Sequence, residues 1–128
     1  MKLGYTIIYV ADVIATVDFY EKAFGLKRKF VHENQSYAQM ETGDTALAFV
    51  SETMMTTQGL QFKFNTSLAV PPGFEIAFVT DDVSKAYQTA TNAGAISIHE
   101  PAQKPWGQTV AYVRDNNGIF VELCSPMH

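Results

Sequence analysis

The chain has 128 residues, room for one domain with a single shared core and too few for two independent ones. Hydrophobic residues make up 47% and charged residues 17%, a balance that suits a packed domain and excludes a large disordered tail. A formal charge of −4, with nine Lys and Arg scattered along the chain, leaves no basic stripe to neutralise phosphates, so neither nucleic acid nor an anionic membrane is an expected partner.

No apolar run approaches the ~20 residues that span a bilayer, and the N-terminus lacks the apolar stretch of a signal peptide, so a cytoplasmic protein is expected. Residues 5–13, YTIIYVADV, alternate as a half-buried strand does and then reach Asp12, an N-cap for a helix with apolar Val13, Val17, Tyr20 and Phe24. Gly25 follows the last apolar position and should stop the helix in the left-handed conformation. Three strand-like stretches follow, KRKFVHE, SYAQME and TALAFVS, the last two joined by a turn at Glu41-Thr42-Gly43-Asp44.

Residues 52–73 are rich in Thr, Met, Gln and Pro, end in Pro71-Pro72-Gly73 and read as a linker. Met54, Met55, Phe62 and Phe64 are unusual for a solvated tether, so part of it is expected over a sheet, at a subunit contact or tucked against its own domain. From residue 75 the grammar repeats: EIAFVTDDV is a strand, Asp82 an N-cap, and Val83, Ala86, Tyr87 and Ala90 a helical face that stops at Gly94. AISIHE, QTVAYVR and IFVELCS are then strands, with the last turn at Asp115-Asn116-Asn117-Gly118.

The order is thus βαβββ written twice, with module one at about 1–51, the linker at about 52–73 and module two at about 74–128 of a single domain. Laying Asp82 on Asp12 puts Glu75 on Tyr5, laying Gly118 on Asp44 puts Glu122 on Ala48, and the two helices should differ by one residue. Cys124, the only cysteine, allows no intrachain disulfide and reads as a small buried residue on a strand.

The opening YTIIYVADVIATVDFYEKAFGLK and the closing WGQTVAYVRDNNGIFVELCSP resemble the two end motifs of the vicinal oxygen chelate superfamily, the glyoxalase/bleomycin resistance/dioxygenase class. That resemblance implies an α+β fold in which two βαβββ modules form a pair of half-barrels around a cup, with a small organic ligand in the cup and a homodimer as the assembly. In metal-dependent members, side chains from the first and last strand of each module, usually His, Gln or Glu, hold a divalent cation such as Zn, Ni, Mn or Fe. The matching positions here are Tyr5, Ala48, Glu75 and Glu122.

Those positions depart from a metal cage. Ala48 supplies no donor, and Tyr5 could ligate only as a phenolate, against a reference pKa of about 10. Glu75 and Glu122 remain as metal ligands; two carboxylates hold Mg or Mn only weakly, so no tightly bound transition metal is expected. None of His32, His99 and the terminal His128 falls at a matching position, and each reads as a surface or edge histidine, although His128 could reach anywhere.

If both glutamates face the cup, repulsion and desolvation should raise the pKa of at least one, giving an acid/base pair or a negative pocket for a cationic or polyhydroxylated ligand. The plainer alternative has one of them paired with Arg114 or a Tyr hydroxyl. Alternation groups Tyr5, Ile7 and Tyr9 on one face, Tyr37 and Gln39 on another, and Val110 and Tyr112 on a third. Trp106 precedes the seventh strand, where it either stacks on a planar ligand or plugs the sheet edge.

Two functional readings therefore stand side by side. One is a metal-independent protein that binds a small organic ligand through Tyr5, Tyr37, Ala48, Trp106 and Tyr112. The other is a glyoxalase-like lyase or isomerase, dependent on Zn, Ni, Mn, Mg or Fe, that works through an enediolate with Glu122 or Glu75 as its catalytic base. A third class, an assembly module without a small ligand, shares the same fold.

Overall fold

The computed structural model describes residues 1–127, and the terminal His128 considered above lies outside the described residues. The first copy is built as β1 (Tyr5–Val10), α1 (Val13–Phe24), β2 (Lys27–Val31), β3 (Tyr37–Glu41) and β4 (Ala46–Ser51), followed by a short α2 (Glu52–Thr57). The second runs β5 (Glu75–Val79), α3 (Val83–Asn92), β6 (Ile96–Gln103), β7 (Thr109–Arg114) and β8 (Phe120–Cys124). Each copy folds its strands into a mixed four-stranded sheet, ordered β1-β4-β3-β2 and β5-β8-β7-β6, with only the first and last strands of each copy parallel. The result is α+β.

Two compact units emerge, one of Met1–Glu21 with Gly25–Asn65, the other of Lys22–Phe24 with the described residues from Thr66 onward. Capping follows the sequence. The Asp12 carboxylate accepts from the Ala15 amide at 3.0 Å, and the Asp82 carboxylate from the Lys85 amide at 3.0 Å. Gly25, at φ 67°, donates its amide to the Glu21 carbonyl and ends α1. The helices have 12 and 10 residues, a difference of two where one was expected, because α3 gives way at Ala93 before its glycine is reached.

Alternation decides what each sheet buries. In the first unit Ile8, Val10, Ala38, Met40, Leu47 and Phe49 are buried on one face, and Val13, Val17 and Tyr20 of α1 are buried with them. The Tyr20 and Phe49 rings lie 4.8 Å apart at the centre of that core. In the second, Val83 and Ala90 of α3 are buried together with Ala111, Val113, Val121 and Leu123. The outer edge strands are guarded differently: β2 exposes Lys27, Arg28 and Lys29, whereas β6 contains Pro101 and two register shifts. Arg28 is itself tied to Asp18 at 2.8 Å and Glu21 at 2.7 Å.

The segment read as a linker is more ordered than a tether. Ser51 caps α2, Phe62 sets its ring edge-on to Tyr9 with centroids 4.8 Å apart, and the Asn65 amide donates to the Tyr9 carbonyl at 2.9 Å. Further on, Arg114 binds carbonyl oxygens: its Nε donates to Gly118 at 2.9 Å, and its Nη atoms to Ala69 at 2.7 Å and Ser67 at 3.3 Å. Gly118 itself sits at φ 83° in the β7–β8 turn, where Asp115 Oδ1 accepts from the Asn117 and Ile119 amides at 2.8 Å.

Candidate functional site

Strand register fixes which side chains share a face. Across the second sheet Ala77 pairs with Glu122 and Glu122 with Tyr112; across the first, Ile7 pairs with Ala48 and Ala48 with Gln39. Two residues earlier on the same strands, Glu75 pairs with Phe120 and Tyr5 with Ala46. Glu75 and Tyr5 are therefore equivalent positions of the repeat, and so are Glu122 and Ala48.

Three polar groups converge in the second unit. The Tyr112 hydroxyl donates to Glu122 Oε1 at 2.9 Å, and Glu75 lies near enough to Glu122 for that carboxyl to raise its pKa. His99, on the neighbouring β6, turns its ring edge toward Tyr112 at a centroid distance of 6.0 Å. A hollow of about 280 Å³ opens beside them, lined by Glu75, Ile98, His99, Tyr112 and Phe120. Arg114 does not reach either glutamate, since backbone carbonyls occupy its guanidinium.

Electrostatics follow from that arrangement. Partial exclusion of water raises the Glu75 pKa above the ordinary glutamate value, and the hydrogen bond to Glu122 and its charge push the same way. Burial and then the bond to Glu122 push the Tyr112 phenol up to about 12, so it remains a donor. Burial likewise pushes the Cys124 thiol up to about 11, in keeping with a buried and unreactive cysteine.

Because the native state binds a proton at Glu75 more tightly than the unfolded chain does, raising the pH from 4.5 through the elevated native value should cost stability. Thermal melts across that window are expected to show the melting temperature falling with pH in the native sequence. In Glu75→Gln, which cannot ionise, the slope should flatten.

The remaining candidates are spread over other surfaces. In the first unit Tyr5 is 59% exposed, Ala48 is fully buried beneath the sheet face, and the Tyr37 hydroxyl accepts from Gln39 Nε2 at 2.8 Å. In the second, Trp106 is 63% exposed with Nε1 donating to Gln108 Oε1 at 2.9 Å, beside a separate hollow that Pro126 and Met127 also line. The indole does not plug the sheet. Sequence reasoning missed His99, Ile98 and Phe120, because the register shifts of β6 hide the pairing of His99 with Tyr112 from any count along the chain.

This donor set does not fit a transition-metal cage. Among the described residues no three His, Cys, Asp or Glu side chains are grouped as a cation would need, and the methyl of Ala48 stands where the repeat places a carboxylate in the other half.

The architecture and register define a duplicated βαβββ protein of the α+β class. A model of the Glyoxalase/Bleomycin resistance protein/Dioxygenase superfamily matches residues 2–123, and the chain belongs to that superfamily. The uncharacterized protein YraH of Bacillus subtilis (strain 168) is 29% identical over 125 residues, covering 96% of this chain and 97% of its own length. Lactoylglutathione lyase GLX1 of Arabidopsis thaliana is 31% identical over 121 residues, covering 89% of this chain but 40% of the plant protein. Among solved structures, a glyoxalase-related enzyme from Fulvimarina pelagi superposes with a TM-score of 0.82 at 18% identity, over 98% of this chain and 88% of that one.

Proposed function

We propose that this chain binds a small organic molecule against the open face of its second sheet, without a tightly held transition metal. The observation that carries the reading is the neighbouring carboxyls of Glu75 and Glu122, with the Tyr112 hydroxyl donating to Glu122 at 2.9 Å, beside a hollow walled by Ile98, His99 and Phe120. Carboxylate and aromatic surface together suit a ligand that carries an amine or several hydroxyls on an apolar body. A screen of such compounds by thermal shift, with the bound compound recovered and weighed by mass spectrometry, tests it. Saturable binding with the compound released unchanged, and weakened at least tenfold by Glu122→Gln, is the expected result. No saturable binder, or turnover of the compound, sinks the binding reading.

A second reading has one specific support, the likeness to a protein named lactoylglutathione lyase. Here the chain is a lyase or isomerase that needs a divalent metal and uses Glu122 or Glu75 as the base that forms an enediolate. Elemental analysis of protein purified without chelator separates the two. Stoichiometric metal, lost together with activity in Glu122→Gln, favours the enzyme; no metal and no activity gained with Ni, Zn, Mn, Mg or Fe rejects its metal-dependent form.

The assembly we propose is a homodimer in the cytoplasm. Tyr5, Ile7 and Val79 leave apolar surface exposed on the sheets, and a second copy would cover it. Light scattering at micromolar concentration should give twice the chain mass of 14.2 kDa. A monomer overturns this. No helix among the described residues is long and apolar enough to cross a membrane.

A further inference from the structure

Asn117 and Gly118, in the β7–β8 turn, form the one Asn-Gly pair of the chain. Asparagine before glycine is the pairing most open to ring closure, because no side chain on the second residue shields its backbone nitrogen. That nitrogen gives up its proton and bonds to Asn117 Cγ; the Cγ–Nδ2 bond breaks, and Nδ2 leaves with the proton as ammonia. The succinimide so formed then takes up one water. Opening at the side-chain carbonyl gives aspartate, and opening at the main-chain carbonyl gives isoaspartate, whose backbone runs through the side chain and is longer by a methylene. One water enters and one ammonia leaves, with nothing oxidised or reduced.

The folded turn opposes that reaction at both reacting atoms. The Gly118 amide keeps its proton in a hydrogen bond to the Asp115 carbonyl at 3.0 Å. Asn117 is buried, its backbone amide donates to Asp115 Oδ1 at 2.8 Å and its Nδ2 to Asn116 Oδ1 at 3.2 Å, so Cγ is not free to swing onto the nitrogen. The fully buried Ile119 donates to the same Asp115 oxygen at 2.8 Å, and Arg114 Nε holds the Gly118 carbonyl at 2.9 Å. Ring closure therefore waits on opening of the turn. Opening and reclosing are fast beside a reaction of hours to days, so the rate in the native protein is the rate of the open chain multiplied by the fraction open.

We infer that Asn117 is a covalent modification site, closed in the folded protein and unmasked when the β7–β8 turn opens, and that its isoaspartyl form locks the chain out of the native turn. The extra methylene falls between Asn117 Cα and the Gly118 nitrogen. There Asp115 Oδ1 ties the amides of 117 and 119 together, and Gly118, at φ 83°, stands so close to the Thr66 carbonyl that not even a Cβ has room. The turn joins the strands that carry Tyr112 and Glu122, so a chain marked here also loses the geometry of the carboxyl site. The modification itself is independent of whatever that site binds.

The test holds the full chain at neutral pH in buffer, in urea below the unfolding midpoint and in enough urea to unfold it, and follows isoaspartate at 117 by peptide mass spectrometry. Modification in buffer is expected to be at least tenfold slower than in the unfolded chain and to quicken with urea below the midpoint. Arg114→Gln, which frees the Gly118 carbonyl, should quicken it at least threefold in buffer and leave the unfolded rate unchanged. Thermal melts establish that this variant is folded, and the urea series carries the test if it is not. Marked chains, separated from the unfolded sample, should fail to regain the native melt on return to buffer, while unmarked chains from the same sample regain it. Equal rates in folded and unfolded protein, a first modification at another asparagine, or marked chains that refold as the unmarked ones do overturns the inference.

Discussion

Phe49→Ala should cost about 4 kcal/mol of folding stability and lower the melting temperature by roughly 15 °C. Phe49 is fully buried, its ring lies 4.8 Å from that of Tyr20, and its strand is paired on both sides, with Ile8 and Ala38 as its partners. Truncation removes the link between α1 and the sheet and leaves a void that two flanking strands and a helix cannot close. Phe64→Ala is the control: that ring is 56% exposed, and its loss should move the midpoint only slightly. Thermal and urea melts of both variants decide the matter, and equal effects would mean that the core is not centred on Phe49.

Gly118→Ala should be the next most damaging change, at about 3 kcal/mol. At φ 83° a side chain is already strained, and a Cβ there would stand 2.6 Å from the Thr66 carbonyl oxygen, where a backbone atom cannot give way. The same turn supplies the Gly118 carbonyl that Arg114 binds while it also holds Ala69, so the insult should spread into the segment at 66–69. Gly43→Ala separates the two causes. Gly43 has φ 88° but open space around it, so only the conformational part, about 1 kcal/mol, should be lost. Amide exchange is expected to quicken at 66–69 in Gly118→Ala and not in Gly43→Ala.

How much of this was legible beforehand depends on the range of the interaction. Caps at Asp12 and Asp82 and the stop at Gly25 are decided by neighbours within one helical turn, and they appear where the pattern put them. The equivalence of Ala48 with Glu122 could be read from the duplication alone, since both copies repeat one register. The partners of Glu122 could not. Tyr112 and Arg114 sit on the same face of β7, and both could in principle have met a carboxylate; only the fold reveals that carbonyls of Ser67 and Ala69 take the guanidinium and leave the phenol to Glu122. His99 was hidden by irregular pairing, and α2 by its composition, because six residues of Thr, Met and Glu carry no helical period long enough to detect.

The two outer strands carry a difference that matters for handling the protein. On β2 the unpaired edge is kept apart from other chains by Lys27, Arg28 and Lys29, whereas on β6 it is interrupted by Pro101, which has no amide to offer. Charge is screened by salt and a missing amide is not. Concentrated salt should therefore weaken the guard on β2 and leave that on β6 untouched, so of these two edges β2 is the one at which salt should promote pairing with another chain.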